Sequence, residues 1–128
     1  MEMSEIVEKA KEAFAEASKP AARSIGLPSV QQKLFKWQRE QFGNTPLAHL
    51  ALGVAEEVGE LSHAILKRDQ GIRGFDDKKK FEEAVADAIA DTAIYSINLC
   101  STLGIDYETV LTEVSKKILQ RKWNAKKA

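Results

Sequence analysis

Leu50-Ala51-Leu52-Gly53-Val54-Ala55-Glu56-Glu57-Val58-Gly59-Glu60-Leu61 is the stretch on which the reading of the fold turns. Its apolar residues return every three or four positions, which is the period of a helix and not of a strand. Roughly thirty residues later, Glu83-Ala84-Val85-Ala86-Asp87-Ala88-Ile89-Ala90-Asp91 repeats the theme, with carboxylates at helical spacing inside an apolar run. Side chains three or four apart on a helix are neighbours, so each run gathers its acids toward one point. Two such helices face to face would make an oxygen-rich site suited to a hard cation such as Mg²⁺. The competing reading is a pair of solvated acidic faces.

Working outward, Thr45 and Pro46 look like the N-cap and first residue of the helix that carries the first acidic run, which continues to about residue 68. At about 100° per residue, Leu47, Leu50, Ala51, Val54, Val58, Leu61 and Ile65 form one stripe, the expected core face. Glu56 and Glu60 then lie on the far side and Glu57 at the edge. Gly53 and Gly59 each cost a helix about 1 kcal/mol against Ala, which suggests a close approach at those positions. Residues 69–77 read as a loop containing Gly71, Arg73 and Gly74.

The helix of the second acidic run spans about residues 77–103. Phe81, Val85, Ala88, Thr92, Leu99 and Leu103 share a stripe, opposite Glu83, Asp87, Asp91 and Asn98. Gly104 suits the position after a helix end. Asp106 can cap a further helix carrying Val110, Leu111, Val114, Ile118 and Leu119, which ends at Arg121-Lys122-Trp123. On the N-terminal side, Ser4 can cap a helix over residues 4–18 bearing Ile6, Val7, Ala10, Phe14 and Ala17. Residues 19–28 break it, with Pro20, Gly26 and Pro28. Ser29 can cap a helix to residue 42 that carries Leu34, Phe35 and Trp37. The expectation is an all-α antiparallel bundle, with an N-terminal helix and linker over residues 1–28 and the main helical domain over 29–128.

Composition supports one ordered domain, with 44% hydrophobic and 30% charged residues in 128. Basic and acidic residues balance at 19 each, which disfavours nucleic acid as a partner because phosphate backbones recruit a basic excess. The lone Cys100 cannot form an intramolecular disulfide and is expected as a core thiol, pointing to a cytoplasmic compartment. The most apolar run is interrupted by Asp87 and Asp91, so no membrane span is expected.

The order Glu-Glu-x-x-Glu (56, 57, 60), Asp91-x-x-x-Tyr95, Leu103-Gly104-Ile105-Asp106 and Arg121-Lys122-Trp123 resembles the MazG-like nucleotide pyrophosphohydrolases of the all-α NTP pyrophosphatase superfamily, over about residues 31–124. The family's second motif is Glu-x-x-Asp. Asp91 matches its Asp, whereas the Glu position is Ala88, with Asp87 one residue earlier. The resemblance implies Mg²⁺, with Mn²⁺ a substitute, on Glu57, Glu60, Asp87 and Asp91, and Glu56 orienting a ligand or water. It implies cleavage of nucleoside triphosphates to monophosphate and pyrophosphate, in a dimer or tetramer. Phosphates would be met by Lys67, Arg68, Arg73, Arg121 or Lys122. Tyr95, Asn98 and Trp37 would meet the nucleoside, although core packing serves Tyr95 equally well and is the more common use of an aromatic placed like Trp37. His49 and His63 read as surface or packing residues.

Two rival readings remain at this level. Glu60-Leu61-Ser62-His63 is a Glu-x-x-His, the unit of carboxylate-bridged di-iron bundles, but those use two such pairs and no second occurs. A non-catalytic helical interaction module is the other.

Overall fold

The computed structural model describes residues 2–17 and 26–123. Their elements are α1 (Met3–Ala17), α2 (Leu27–Phe42), α3 (Leu47–Asp69), α4 (Lys78–Thr102) and α5 (Tyr107–Leu119), with no strand among the described residues. The chain is all-α, as its periodicity requires. Most of the segment read as a linker, including Pro20, lies outside the described residues.

Helix ends follow local chemistry, though not always through the residues expected. The Asp77 carboxylate accepts from the Lys79 and Lys80 N–H groups and starts α4. Asp106 does the same for α5 through Thr109 N–H at 2.9 Å. Gly104 stands just past α4 at φ 71°, the left-handed conformation that glycine adopts freely. Three expected caps are displaced. Ser4 lies inside α1. α2 begins at Leu27, before Ser29, with Gly26 at its N-cap and Pro28 in its first turn, so a boundary at residue 28 falls within this helix. Thr45 does not cap α3, where Pro46 occupies the N-cap, because its hydroxyl accepts from Gln38 Nε2 at 2.8 Å. That bond instead ties the turn after α2 back onto α2.

α4 is the central helix, touched by α1, α2, α3 and α5, and most of all by α3. Its Ala88, Ile97 and Asn98 are buried, and on α3 the buried residues are Leu50, Gly53 and Ala64. The α3 face turned to the core is thus not the stripe expected. Leu47, Val58 and Ile65 of that stripe are each more than 40% exposed. Buried Leu50, Gly53 and Ala64 instead bracket Glu57 on the same side of the helix. Hydrophobic periodicity had placed the acids outside, while packing turns them toward α4. Cys100 is half-buried and not a core thiol. No single helix among the described residues is long and apolar enough to cross a membrane.

The end of the bundle remote from the acids is closed by Gln31, which is buried on α2. Its Nε2 donates to Ser101 Oγ at 3.0 Å and to the Ile105 carbonyl at 2.9 Å, and its Oε1 accepts from the Tyr107 N–H at 2.9 Å. The last is an otherwise unpaired donor in the first turn of α5. One amide thus joins α2, α4 and α5. Gln31→Ala strands those groups and should lower stability by about 2–3 kcal/mol. Urea denaturation of the two proteins checks this, and a loss below about 1 kcal/mol would deny the amide its role as the joint.

Candidate functional site

The two acidic runs meet where α3 and α4 pack. The helices run antiparallel, so each turn along α3 is answered by a turn back along α4. Gly53 lies against Tyr95, Glu57 is within electrostatic reach of Asp91, and Ala64 and Ala84 line the same cavity beyond them. Small residues at Gly53, Ala64, Ala84 and Ala88 keep the helices close enough for this pairing. Ala88 is buried, but not on a face opposite the acids, since it lines the same cavity as Asp91. Asn98, read from the sequence as lying across the helix from it, is buried too, while Leu103 of the expected stripe is half exposed and Asp87 is exposed.

Two cavities flank the meeting point. An acidic one of about 350 Å³ is lined by Glu56, Glu57, Glu60, Asp87 and Asp91, together with His63, Phe75 and the alanines. A larger one of about 940 Å³ is mainly apolar and is lined by Trp37, Phe42, Pro46, Leu50, Tyr95 and Asn98, among others. Glu57 and Asp91 line both, and so form the wall between them. Trp37 is half exposed and meets the Phe42 ring edge-on at 5.8 Å, so it is a wall of the cavity and not core. Asn98 is 2% exposed and its Oδ1 accepts no hydrogen bond. Such an unpaired buried group costs about 1–3 kcal/mol and is uncommon in plain packing.

The carboxylates repel one another. Burial first, and then the negative charges of Asp91, Glu56, Glu60 and Asp87, push the Glu57 carboxyl above the ordinary glutamate range. Asp91 is pushed up by burial first and then by Asp87. Among the described residues no Lys or Arg forms an ion pair with any of the five. A set of hard oxygen donors under mutual repulsion fits a divalent cation such as Mg²⁺, which reverses the sign of the interaction. Among the described residues no three His, Cys, Asp or Glu side chains stand as a preset cage, so the fit is one of donor type and charge.

The basic residues named from the sequence are not gathered here. Lys67, Arg68, Arg73, Arg121 and Lys122 line neither cavity. Arg68 is committed elsewhere. Its guanidinium donates to the Phe75 and Asp76 carbonyls, each at 2.9 Å, and lies over the Phe81 ring at 5.0 Å. It holds the loop between α3 and α4, whose Phe75 packs edge-on against His63. Sequence reasoning passed over His63, Gln38, Thr45 and His49 as wall residues. The signal for Gln38 was its place one residue beyond Trp37 on the Leu34 stripe. Thr45 and His49 bracket a turn that reads only as a helix stop.

A family model described as the MazG nucleotide pyrophosphohydrolase domain matches residues 46–125. The match takes in α3, α4, α5 and both acidic runs, and leaves out α1 and α2. No curated protein and no solved structure matches the chain.

The repulsion has a signature in stability. A carboxyl whose folded pKa is raised destabilises the fold when ionised. The effect is absent below the unfolded pKa and complete above the folded one. Glu57→Gln should therefore raise the Tm of the metal-free protein at neutral pH, and the gain should vanish as pH falls below the ordinary carboxylate range. Thermal melts in EDTA across pH 3–7 test this. A lower Tm for the variant at neutral pH would mean that Glu57 holds the fold together.

Proposed function

The chain belongs to the MazG nucleotide pyrophosphohydrolase family, and on that footing we propose that it hydrolyses nucleoside triphosphates at the α–β phosphate bond. Water adds to the α-phosphorus, the α–β anhydride breaks, and the products are a nucleoside monophosphate and pyrophosphate. The observation that carries the reading is the shared wall. Glu57 and Asp91 border an acidic cavity on one side and an aromatic, mainly apolar cavity on the other. A nucleotide needs those two environments side by side, one for a metal with its phosphates and one for a nucleoside.

In this reading Glu57, Glu60 and Asp91 hold Mg²⁺ or Mn²⁺, and Asp87, at the rim of the same cavity, completes the set. When bound, the ion neutralises phosphate charge and acidifies water. Glu56 accepts a hydrogen bond from the attacking water and orients it. Trp37 and Tyr95 give the base or sugar apolar surface to lie on. The buried Asn98 amide, with its unpaired Oδ1, offers the nucleoside a hydrogen-bonding partner. Lys67, Arg73, Arg121 and Lys122 are the cations left to meet the outer phosphates, since Arg68 is taken up by its loop.

Self-association belongs to the same proposal. The α3 stripe with Leu47, Val58 and Ile65 stays exposed in the single chain, as do Val110, Leu111, Val114 and Ile118 on α5 and Phe14 on α1. Faces that are apolar and regular yet uncovered are what a second copy would bury.

Two measurements test the proposal. With Mg²⁺ and a panel of ribo- and deoxyribonucleoside triphosphates, the products should be monophosphate and pyrophosphate in equal amounts, and excess EDTA should abolish turnover. Orthophosphate with a diphosphate product would overturn the assignment. Light scattering at micromolar concentration should give the mass of a dimer or tetramer, and a monomer would remove the second copy from the account.

A further inference from the structure

α3 contains two glycines, and they stand in opposite situations. A side chain added at Gly59 would meet nothing within 4 Å, whereas a Cβ at Gly53 would overlap Cδ1, Cε1 and Cζ of the Tyr95 ring. Gly53 is buried, and the ring lies directly on its backbone. A glycine within a helix costs about 1 kcal/mol against Ala, and at Gly53 the return is the space the ring occupies.

The position of this contact gives it its meaning. Gly53 is one turn before Glu57, and Tyr95 is one turn after Asp91. The glycine–ring contact is therefore the layer next to the carboxylate pair, and Tyr95 lines the aromatic cavity that this pair closes. A methyl group at position 53 would force the ring off α3 and change the wall of that cavity, without touching a carboxylate.

We infer that Gly53 is a positioning residue for nucleotide binding, because its missing side chain seats the Tyr95 ring against α3 as the wall that receives the nucleoside. The inference rests on the nucleotide reading of the same cavity. Tyr95 adjoins the nucleoside and not the bond that breaks, so disturbing its seat acts on binding more than on the chemical step.

The test is Gly53→Ala, assayed with the triphosphate turned over fastest by the wild type. Its KM should rise at least about tenfold, with kcat changed by less than about threefold. In a Tyr95→Ala background the same substitution should change KM by less than about twofold, because the ring it displaces is gone. An unchanged KM in a folded Gly53→Ala protein overturns the inference, as does an equal penalty in both backgrounds. If Gly53→Ala does not fold, the double variant decides. Recovery of folding with the KM of Tyr95→Ala supports the seat, and continued unfolding overturns it. Nitration by tetranitromethane, read by peptide mass spectrometry, examines the seat without substrate. Tyr95 should react faster relative to Tyr107 in Gly53→Ala than in the wild type, and equal rates count against the seat. A wild type inactive on every nucleotide would overturn the functional reading, while the nitration comparison would still decide whether Gly53 seats the ring.

Discussion

When α3 and α4 pack antiparallel, every turn of one helix is assigned a partner turn on the other. Leu50 and Asn98 are buried at one level, Gly53 and Tyr95 touch at the next, Glu57 and Asp91 repel at the third, and Ala64 and Ala84 share a cavity beyond. A rotation of either helix by one residue, about 100°, would dissolve all four levels together. The alanines and the glycine make this register possible, since larger residues there would hold the helices apart. The acids contribute nothing to that closeness. They are carried into it by their neighbours above and below, and the fold tolerates their repulsion because those neighbouring levels pack well.

The layering also separates two kinds of environment over a short distance. On one side of the Glu57–Asp91 level the walls are rings and aliphatic groups, and on the other they are carboxylates. A ligand that is half apolar ring and half polyanion matches such a boundary better than one that is uniformly either. The division follows mainly from which turn of α3 and α4 carries which residue, and Pro46 and Phe75 of the flanking turns add to the two walls. α2 supplies the remaining aromatic wall through Trp37, and Gln31 on the same helix anchors it to the far end of α4.

Much of this was legible in the chain before its structure. Five helices, the loop with Gly71 and Gly74, and the cap at Asp106 follow from periodicity and from residues with one dominant use, whereas Asp77 was read only as the start of its helix and not as its cap. Helical spacing gathers the acids within each run, whereas the convergence of the two runs was implied by the family resemblance and not by periodicity. Orientation was not legible on α3. Periodicity identifies the apolar face of a helix but not what covers it, and the stripe through Leu47, Val58 and Ile65 is left open in the single chain while the Gly53–Glu57 face turns to α4. Of the two glycines noted for close approach, only Gly53 has one, because a glycine's need is set by the opposite helix. Arg68 could not be separated from the other cations, since the carbonyls that occupy it belong to a loop whose path local sequence leaves undetermined.

A guanidinium that grips two main-chain carbonyls senses the route of a backbone and is blind to the side chains along it. Arg68 holds the loop after α3 in that way, by the carbonyls of Phe75 and Asp76, and so fixes where Phe75 meets His63 at the edge of the acidic cavity. The identity of Ile72 is thereby uncoupled from the geometry that the loop must deliver, whereas Arg73 keeps the charge proposed for it above. Position 72 can drift in evolution while the cavity edge beside it stays in place, provided that Gly71 and Gly74 keep their left-handed backbone. Variation at that position is insulated from the cavity edge by one side chain on a rigid helix.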